Sequence, residues 1–218
     1  MAAFETARLT RAASAAKLRG IYAVVNDGPD AIAVARAALD GGVRIVQYRA
    51  KGGAVAERAR ALRTMTRERG ALFVFNDDLE AAVAFDCDGV HLGPGDRGFA
   101  DPASVRGALG QRLIGLSCGT PDEARAAQSG GADYAGVGCV FPTDSKTDAG
   151  KPIGLEGLRA VAGATSLPVA AIGGIGIGSV AEVARTGVAM AAVISAIAAA
   201  PDRVQAAAEL VRRWNAAA

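Results

Sequence analysis

Aromatic residues make up only 5% of these 218 residues, and histidine occurs once and cysteine three times. Each shortage excludes something. Cys87, Cys118 and Cys139 lie far apart, match neither a CxxC pair nor a zinc spacing, and are odd in number. That argues against a disulfide framework and for a reducing cytoplasm. His91 would have to serve any Ser-His-Asp triad, yet no nucleophile elbow accompanies it, so a partly buried structural histidine is expected. Cys118 beside Ser117 does not by itself define a nucleophile. Charge of one sign is also missing. A formal net charge of +2 gives no electrostatic case for nucleic acid or a membrane surface. The longest apolar stretch, Val188 to Ala200, is interrupted by Ser195 and is too short to span a bilayer. Met1 to Gly20 carries Arg8, Arg11, Lys17, Arg19 and Glu5 and lacks the apolar run of a signal peptide. It reads as an amphipathic helix, residues 1–19, ahead of the first strand. No Pro- or Ser-rich linker divides the chain, and 51% apolar residues suffice for one domain over 1–218.

Short β-type runs alternate with alanine-rich helical patterns. The runs are Ile21–Val25, Val43–Tyr48, Leu72–Phe75, Gly89–Leu92, Leu113–Leu116, Tyr134–Val137, Val169–Ile172 and Ala189–Ile194. Helices are expected over Asp30–Asp40, Val55–Arg69, Asp78–Phe85, Pro102–Leu109, Pro121–Ser129, Leu155–Ala162, Ser179–Thr186 and Asp202–Asn215. Pro102 and Pro121 suit first helical turns, Ser179 and Asp202 suit N-caps, and Gly41, Gly70, Gly110, Gly130 and Gly187 suit left-handed C-terminal caps. Continuous apolar strands alternating with helices indicate a parallel sheet buried on both faces. Eight repeats favour closure into a (β/α)8 TIM barrel with an extra N-terminal helix. An open doubly wound sheet would need a dinucleotide fingerprint after the first strand, and Asn26-Asp27-Gly28-Pro29 is not one.

Polar or glycine-rich clusters follow seven of the runs, where the shared mouth of a barrel would lie. Gly173-Gly174-Ile175-Gly176 admits a tight strand-to-helix turn or a phosphate cradle. Ser195, at the end of strand 8, favours the cradle, because strands 7 and 8 of barrels commonly build one together. Asn76-Asp77-Asp78 admits a helix cap or a metal site. Asp96 on the adjacent loop favours Mg²⁺, which takes two carboxylates with waters and phosphate oxygens. Asp88 suits a structural role at the start of strand 4. Arg49, Lys51 and Lys146 are either solvated charges or the cations for a diphosphate. Thr143-Asp144-Ser145-Lys146 puts hydroxyls and a cation within four residues, in a long loop of the kind that is commonly functional. Gln47 faces a ligand heterocycle or satisfies a neighbour.

Taken together, these residues resemble the thiamine-phosphate synthase family, from about Gly20 to Ile197. The matching segments include Gln47-Tyr48-Arg49-Ala50-Lys51, Phe75-Asn76-Asp77, Asp88-Gly89-Val90-His91-Leu92-Gly93 with Asp96, and Ile114-Gly115-Leu116-Ser117. Ala132-Asp133-Tyr134, Phe141-Pro142-Thr143-Asp144-Ser145-Lys146-Thr147, Ile172-Gly173-Gly174-Ile175 and Ile194-Ser195-Ala196-Ile197 complete them. Each motif is short; their order and spacing are specific. The resemblance implies a transferase of thiamine biosynthesis that joins a hydroxymethylpyrimidine diphosphate to a thiazole phosphate and releases diphosphate. It implies that Gln47 to Lys51 and Asn76 hold the pyrimidine diphosphate, and that Ser117 contacts the pyrimidine. It implies that Asp77 and Asp96 bind Mg²⁺. Thr143, Ser145, Gly173, Gly174, Ile194 and Ser195 would hold the thiazole phosphate, with Lys146 bridging to the diphosphate. Arg49, Lys51, Ser117 and Lys146 are the candidate catalytic groups.

Two departures stand out. Gly187-Val188-Ala189-Met190-Ala191-Ala192 lacks the Asp-Gly pair usual before the last strand. Asp144 and Ser145 stand where Pro and Thr are frequent, and Asp144 adds a negative charge near an anionic substrate. A sister family of thiazole tautomerase-like proteins shares the barrel, commonly lacks the two aspartates, and carries a histidine two residues after the strand 5 serine. Here both aspartates are present and that position is Gly119. A non-catalytic phosphate-ligand sensor would have little use for the acidic pair and three cations. The expected partners are small-molecule substrates, without nucleic acid or membrane; a homo-oligomer is compatible with the sequence.

Overall fold

A computed structural model describes residues 9–143, 145 and 150–218. Eight parallel strands close into a barrel in sequence order, with β1 paired to both β2 and β8. They are β1 Gly20–Asn26, β2 Ile45–Arg49, β3 Leu72–Asn76, β4 Gly89–Leu92, β5 Leu113–Cys118, β6 Tyr134–Val137, β7 Val169–Ile172 and β8 Met190–Val193. Ten helices accompany them among the described residues: α1 Arg11–Ala15, α2 Ala31–Asp40, α3 Ala56–Glu68, α4 Leu79–Ala84, α5 Pro102–Leu109, α6 Pro121–Ser129, α7 Gly154–Ala162, α8 Val180–Ala184, α9 Ser195–Ala198 and α10 Arg203–Asn215. The expected (β/α)8 barrel is therefore the fold.

Strand alternation sorts the core into two layers, because successive side chains point to opposite faces of a sheet. Tyr22, Val24, Ile45, Leu72, Val74, Leu113, Tyr134 and Met190 fill the barrel interior. Ile21, Ala23, Val25, Val46, Tyr48, Phe73 and Phe75 point outward and pack under the helices. The floor is tied by buried carboxylates. Asp88 accepts from the Phe73 amide at 2.8 Å and from Arg63 Nη1 at 2.8 Å, the structural role expected of it. Asp133 does the same two repeats on, accepting from the Ile114 amide at 2.8 Å, Arg106 at 3.0 Å and Arg11 at 2.6 Å.

Among the described residues the N-terminal helix is confined to Arg11–Ala15, ending before the expected residue 19. Thr10 caps α1 by accepting from the Ala13 amide, and the helix ends by Ala15. Leu18 then turns into the interior cluster and closes the floor of the barrel. Residues 1–8 lie outside the described residues.

Pro102 and Pro121 occupy first turns as expected, each behind a capping Asp101 or Thr120. Asp202 caps α10, but the Ser179 side chain bonds Gly176 instead of capping α8. Two of the five expected left-handed caps sit one residue later. Gly41 and Gly130 have negative φ, while Gly42 and Gly131 take +98° and +83°. Gly41 is needed for packing instead: a Cβ there would stand 2.5 Å from Ala207 Cβ on α10. The short α9 directly after β8 was not expected.

Candidate active site

A cavity of about 560 Å³ opens at the carboxyl ends of the strands. Of the candidate residues, Arg49, Lys51, Asn76, Asp77, Asp96, Ser117, Thr143, Ser145, Gly173, Gly174, Ile194 and Ser195 line it. Residues far apart in sequence meet there because each stands at the end of a parallel strand or in the loop just after it.

The acidic side comes from β3 and the loop after β4. Asn76 closes β3 and is buried. Asp77 follows in a left-handed conformation, φ 69°, its amide donating to the His91 carbonyl at 2.8 Å. Few non-glycine residues hold this conformation, and Asp is among those that tolerate it. The helix cap is Asp78, whose Oδ1 accepts from the Ala81 amide at 2.8 Å, so Asp77 has no capping duty. Asp96 Oδ2 accepts from the Gly93 amide at 2.7 Å, a local turn of the strand 4 loop that keeps both residues at the mouth. The two carboxyls meet. Burial first, then the hydrogen bond and negative charge of Asp96, push the Asp77 carboxyl up to about 6, while Lys51 and Arg49 pull it down. Paired carboxylates that resist joint ionisation form a site where a cation relieves the repulsion. No cluster of three or more His, Cys, Asp or Glu side chains suited to a metal occurs among the described residues. The donor set is two carboxylates, which fits a Mg²⁺ that keeps waters and takes phosphate oxygens.

The strand 6 loop and the end of β8 bring hydroxyls to the mouth. The Ser145 amide donates to Thr143 Oγ1 at 3.2 Å, and Ser145 Oγ donates to Ser195 Oγ at 3.2 Å, joining the strand 6 loop to the end of β8. Gly173 and Gly174 both have positive φ, and a Cβ would stand 2.4 Å from Cys139 Cβ or 2.5 Å from the Pro142 carbonyl oxygen. This turn therefore needs glycine for packing as well as for lining the mouth. Arg49 Nη1 donates to Asn26 Oδ1 at 3.2 Å. Lys146 and Asp144 lie outside the described residues.

Gln47 is placed differently. It is buried below the mouth, beside a small lower cavity, and donates to the Tyr22 hydroxyl at 2.8 Å. Its neighbour Tyr48 points outward and donates to Asp27, which also accepts from Arg58 at 2.7 Å. His91 is partly buried as expected, but it also lines the mouth, with its ring nitrogens 3.1 Å from the Tyr134 hydroxyl and from Ser117 Oγ. Phe99, Glu123 and Cys139 line it too, and sequence reasoning did not single them out. Strand parity was the available signal for His91, two residues after Gly89 on the same face of β4.

A closed parallel barrel with a charged cavity at the carboxyl ends of its strands defines a (β/α)8 enzyme. Comparison with known proteins makes this specific. A family model described as thiamine monophosphate synthase matches residues 21–197. The thiamine-phosphate synthase of Moorella thermoacetica is 45% identical over 188 residues, which span 84% of this chain and 88% of that relative. That of Caldivirga maquilingensis is 38% identical over 205 residues, 91% and 98% of the two chains. Among solved structures, thiamine phosphate pyrophosphorylase from Pyrococcus furiosus superposes with a TM-score of 0.82 at 37% identity, covering 92% of this chain and 97% of that one. The chain belongs to the thiamine monophosphate synthase family and is a transferase.

Proposed function

We propose that this mouth makes thiamine phosphate by joining a pyrimidinylmethyl diphosphate to a thiazole phosphate. The methylene C–O bond breaks, its electron pair leaves with diphosphate, and the thiazole nitrogen forms the new C–N bond. The observation that carries this reading is the facing of two cations, Arg49 and Lys51, and an acidic pair, Asp77 and Asp96, around one cavity. Asp77 and Asp96 would hold Mg²⁺, whose role is to offset the charge gathering on the diphosphate.

The chain's own groups do the rest. Arg49 and Lys51, with Lys146 from the strand 6 loop, favour the departing diphosphate because its negative charge grows as the bond breaks. An electron-rich aminopyrimidine supports a dissociative path through a pyrimidinylmethyl cation, which needs no protein nucleophile. Cys118 fits that reading: burial pushes its thiol up to about 11, so it is no thiolate at neutral pH. Thr143, Ser145, Gly173, Gly174, Ile194 and Ser195 hold the thiazole phosphate, and Asn76 and Ser117 the pyrimidine side. Gln47 contributes from below, through Tyr22, not by lining the mouth. Holding the thiazole nitrogen beside the cation and excluding water is the remaining task.

A cytoplasmic location belongs to this reading, since all three cysteines are free and buried. The substrates in this reading are small molecules. Among the described residues no helix is long and apolar enough to cross a bilayer. Titration calorimetry with the pyrimidine diphosphate tests the site. Binding should tighten about tenfold or more when Mg²⁺ is present. Equal affinity with Mg²⁺ and with EDTA would remove the metal from the account.

A further inference from the structure

Five polar side chains from five strands form one hydrogen-bonded row through the barrel, from its interior to the mouth. Gln47 Nε2 on β2 lies 2.8 Å from the Tyr22 hydroxyl on β1, which lies 3.0 Å from the Tyr134 hydroxyl on β6. Tyr134 lies 3.1 Å from His91 Nδ1 on β4, and His91 Nε2 lies 3.1 Å from Ser117 Oγ on β5. The strands make room for it. A Cβ on Gly115 would stand 2.0 Å from Tyr134 Cζ, and one on Gly136 would stand 2.7 Å from His91 Cε1. Burial raises the pKa of both tyrosines above its ordinary value, so each keeps its proton.

A row of this kind has a direction, because each hydroxyl has one proton to donate. Gln47 Nε2 can only donate, so the Tyr22 oxygen accepts from it, and a continuous row then has the Tyr22 proton directed to Tyr134. The Tyr134 proton then goes to His91 Nδ1. A bare Nδ1 puts the imidazole proton on Nε2, which donates to Ser117 Oγ. The Ser117 proton is left for the mouth.

We propose that His91 is a positioning residue that makes Ser117 a hydrogen-bond donor toward the mouth, so that the ligand atom meeting Ser117 is an acceptor of the aromatic ring-nitrogen type. Its substrate half rests on the reading of Ser117 as facing the pyrimidine. A hydrogen bond donated to the ring draws electron density away from it and does not favour a cation at the methylene carbon. The contact therefore seats the ring rather than speeding ionisation, and its loss belongs in KM.

The row is tested without substrate through the chain's single histidine. In ¹⁵N-labelled full-length protein at neutral pH, the two ring nitrogens report the tautomer directly. A protonated Nε2 with a bare Nδ1 is expected, shifting toward a mixture in Tyr22→Phe or Tyr134→Phe. A protonated Nδ1 in the unsubstituted protein, whether neutral or imidazolium, would overturn the direction. Kinetics test the consequence separately. His91→Leu should raise KM for the pyrimidine diphosphate about tenfold with kcat changed less than about twofold, as loss of one hydrogen bond predicts. His91→Gln, which can place a donor near the Nε2 position, should recover part of the loss. In a Ser117→Ala background, His91→Leu should add nothing. Additive losses, or a loss carried by kcat, would show that His91 does not act through Ser117. A correct tautomer with no turnover in the unsubstituted protein would instead count against the proposed reaction.

Discussion

Asp77 and Asp78 are neighbours with different duties, one facing the mouth and the other capping α4. The sequence places both at the end of strand 3 but does not say which is which, because the distinction rests on the left-handed backbone at Asp77. Asp77→Ala or Asp96→Ala should lower metal-dependent turnover by about a hundredfold or more while circular dichroism stays unchanged. Full activity in both variants would remove the metal assignment. Other residues were legible from chemistry alone: the Arg49 and Lys51 cations and the Thr143 and Ser195 hydroxyls were singled out and do line the mouth. For Gln47 the sequence left two readings open, and the bond to Tyr22 is the neighbour one; it stands on the same strand face as Arg49, and only depth in the barrel separates them.

At the scale of elements, apolar runs and helical patterns located every strand, and bounds moved by a residue or two where ends fray. The caps were less legible. Gly41-Gly42 and Gly130-Gly131 each offer two glycines; the first of each pair makes a close approach, to Ala207 or Pro102, and the second takes the positive φ, a division visible only in the packed structure. α9 is four residues long, too short for a periodic signal. One contact between elements carries a pH dependence. Tyr48 on β2, first, and then Arg58 on α3 hold the Asp27 carboxyl, just after β1, below its ordinary value. A depressed carboxylate contributes stability above its unfolded pKa of about 3.9, and that stability is lost as pH falls through the lower folded value. Asp27→Asn should therefore lower Tm by about 2–4 °C near pH 7. The difference should shrink below about pH 4. A gap that stays constant down to pH 2 would contradict this assignment.

At the scale of the molecule, closure of the sheet is what makes one site out of residues spread from Arg49 to Ser195. In an open sheet β1 and β8 would be edges; here Tyr22 pairs with Ala192 across the closure. Closure was legible because eight repeats were, and the charged mouth followed from which ends of the strands carry polar residues. The interior row from Gln47 to Ser117 was not legible, since it depends on glycines at Gly115 and Gly136 whose purpose appears only when neighbouring strands are side by side. Thiamine-phosphate synthesis at a composite mouth is the central claim. The most direct measurement is diphosphate release from the pyrimidine diphosphate, with and without thiazole phosphate, in Mg²⁺ and again in EDTA. Release that requires both substrates and the metal is the predicted result. No release under any condition, with thiazole phosphate still bound, would contradict it.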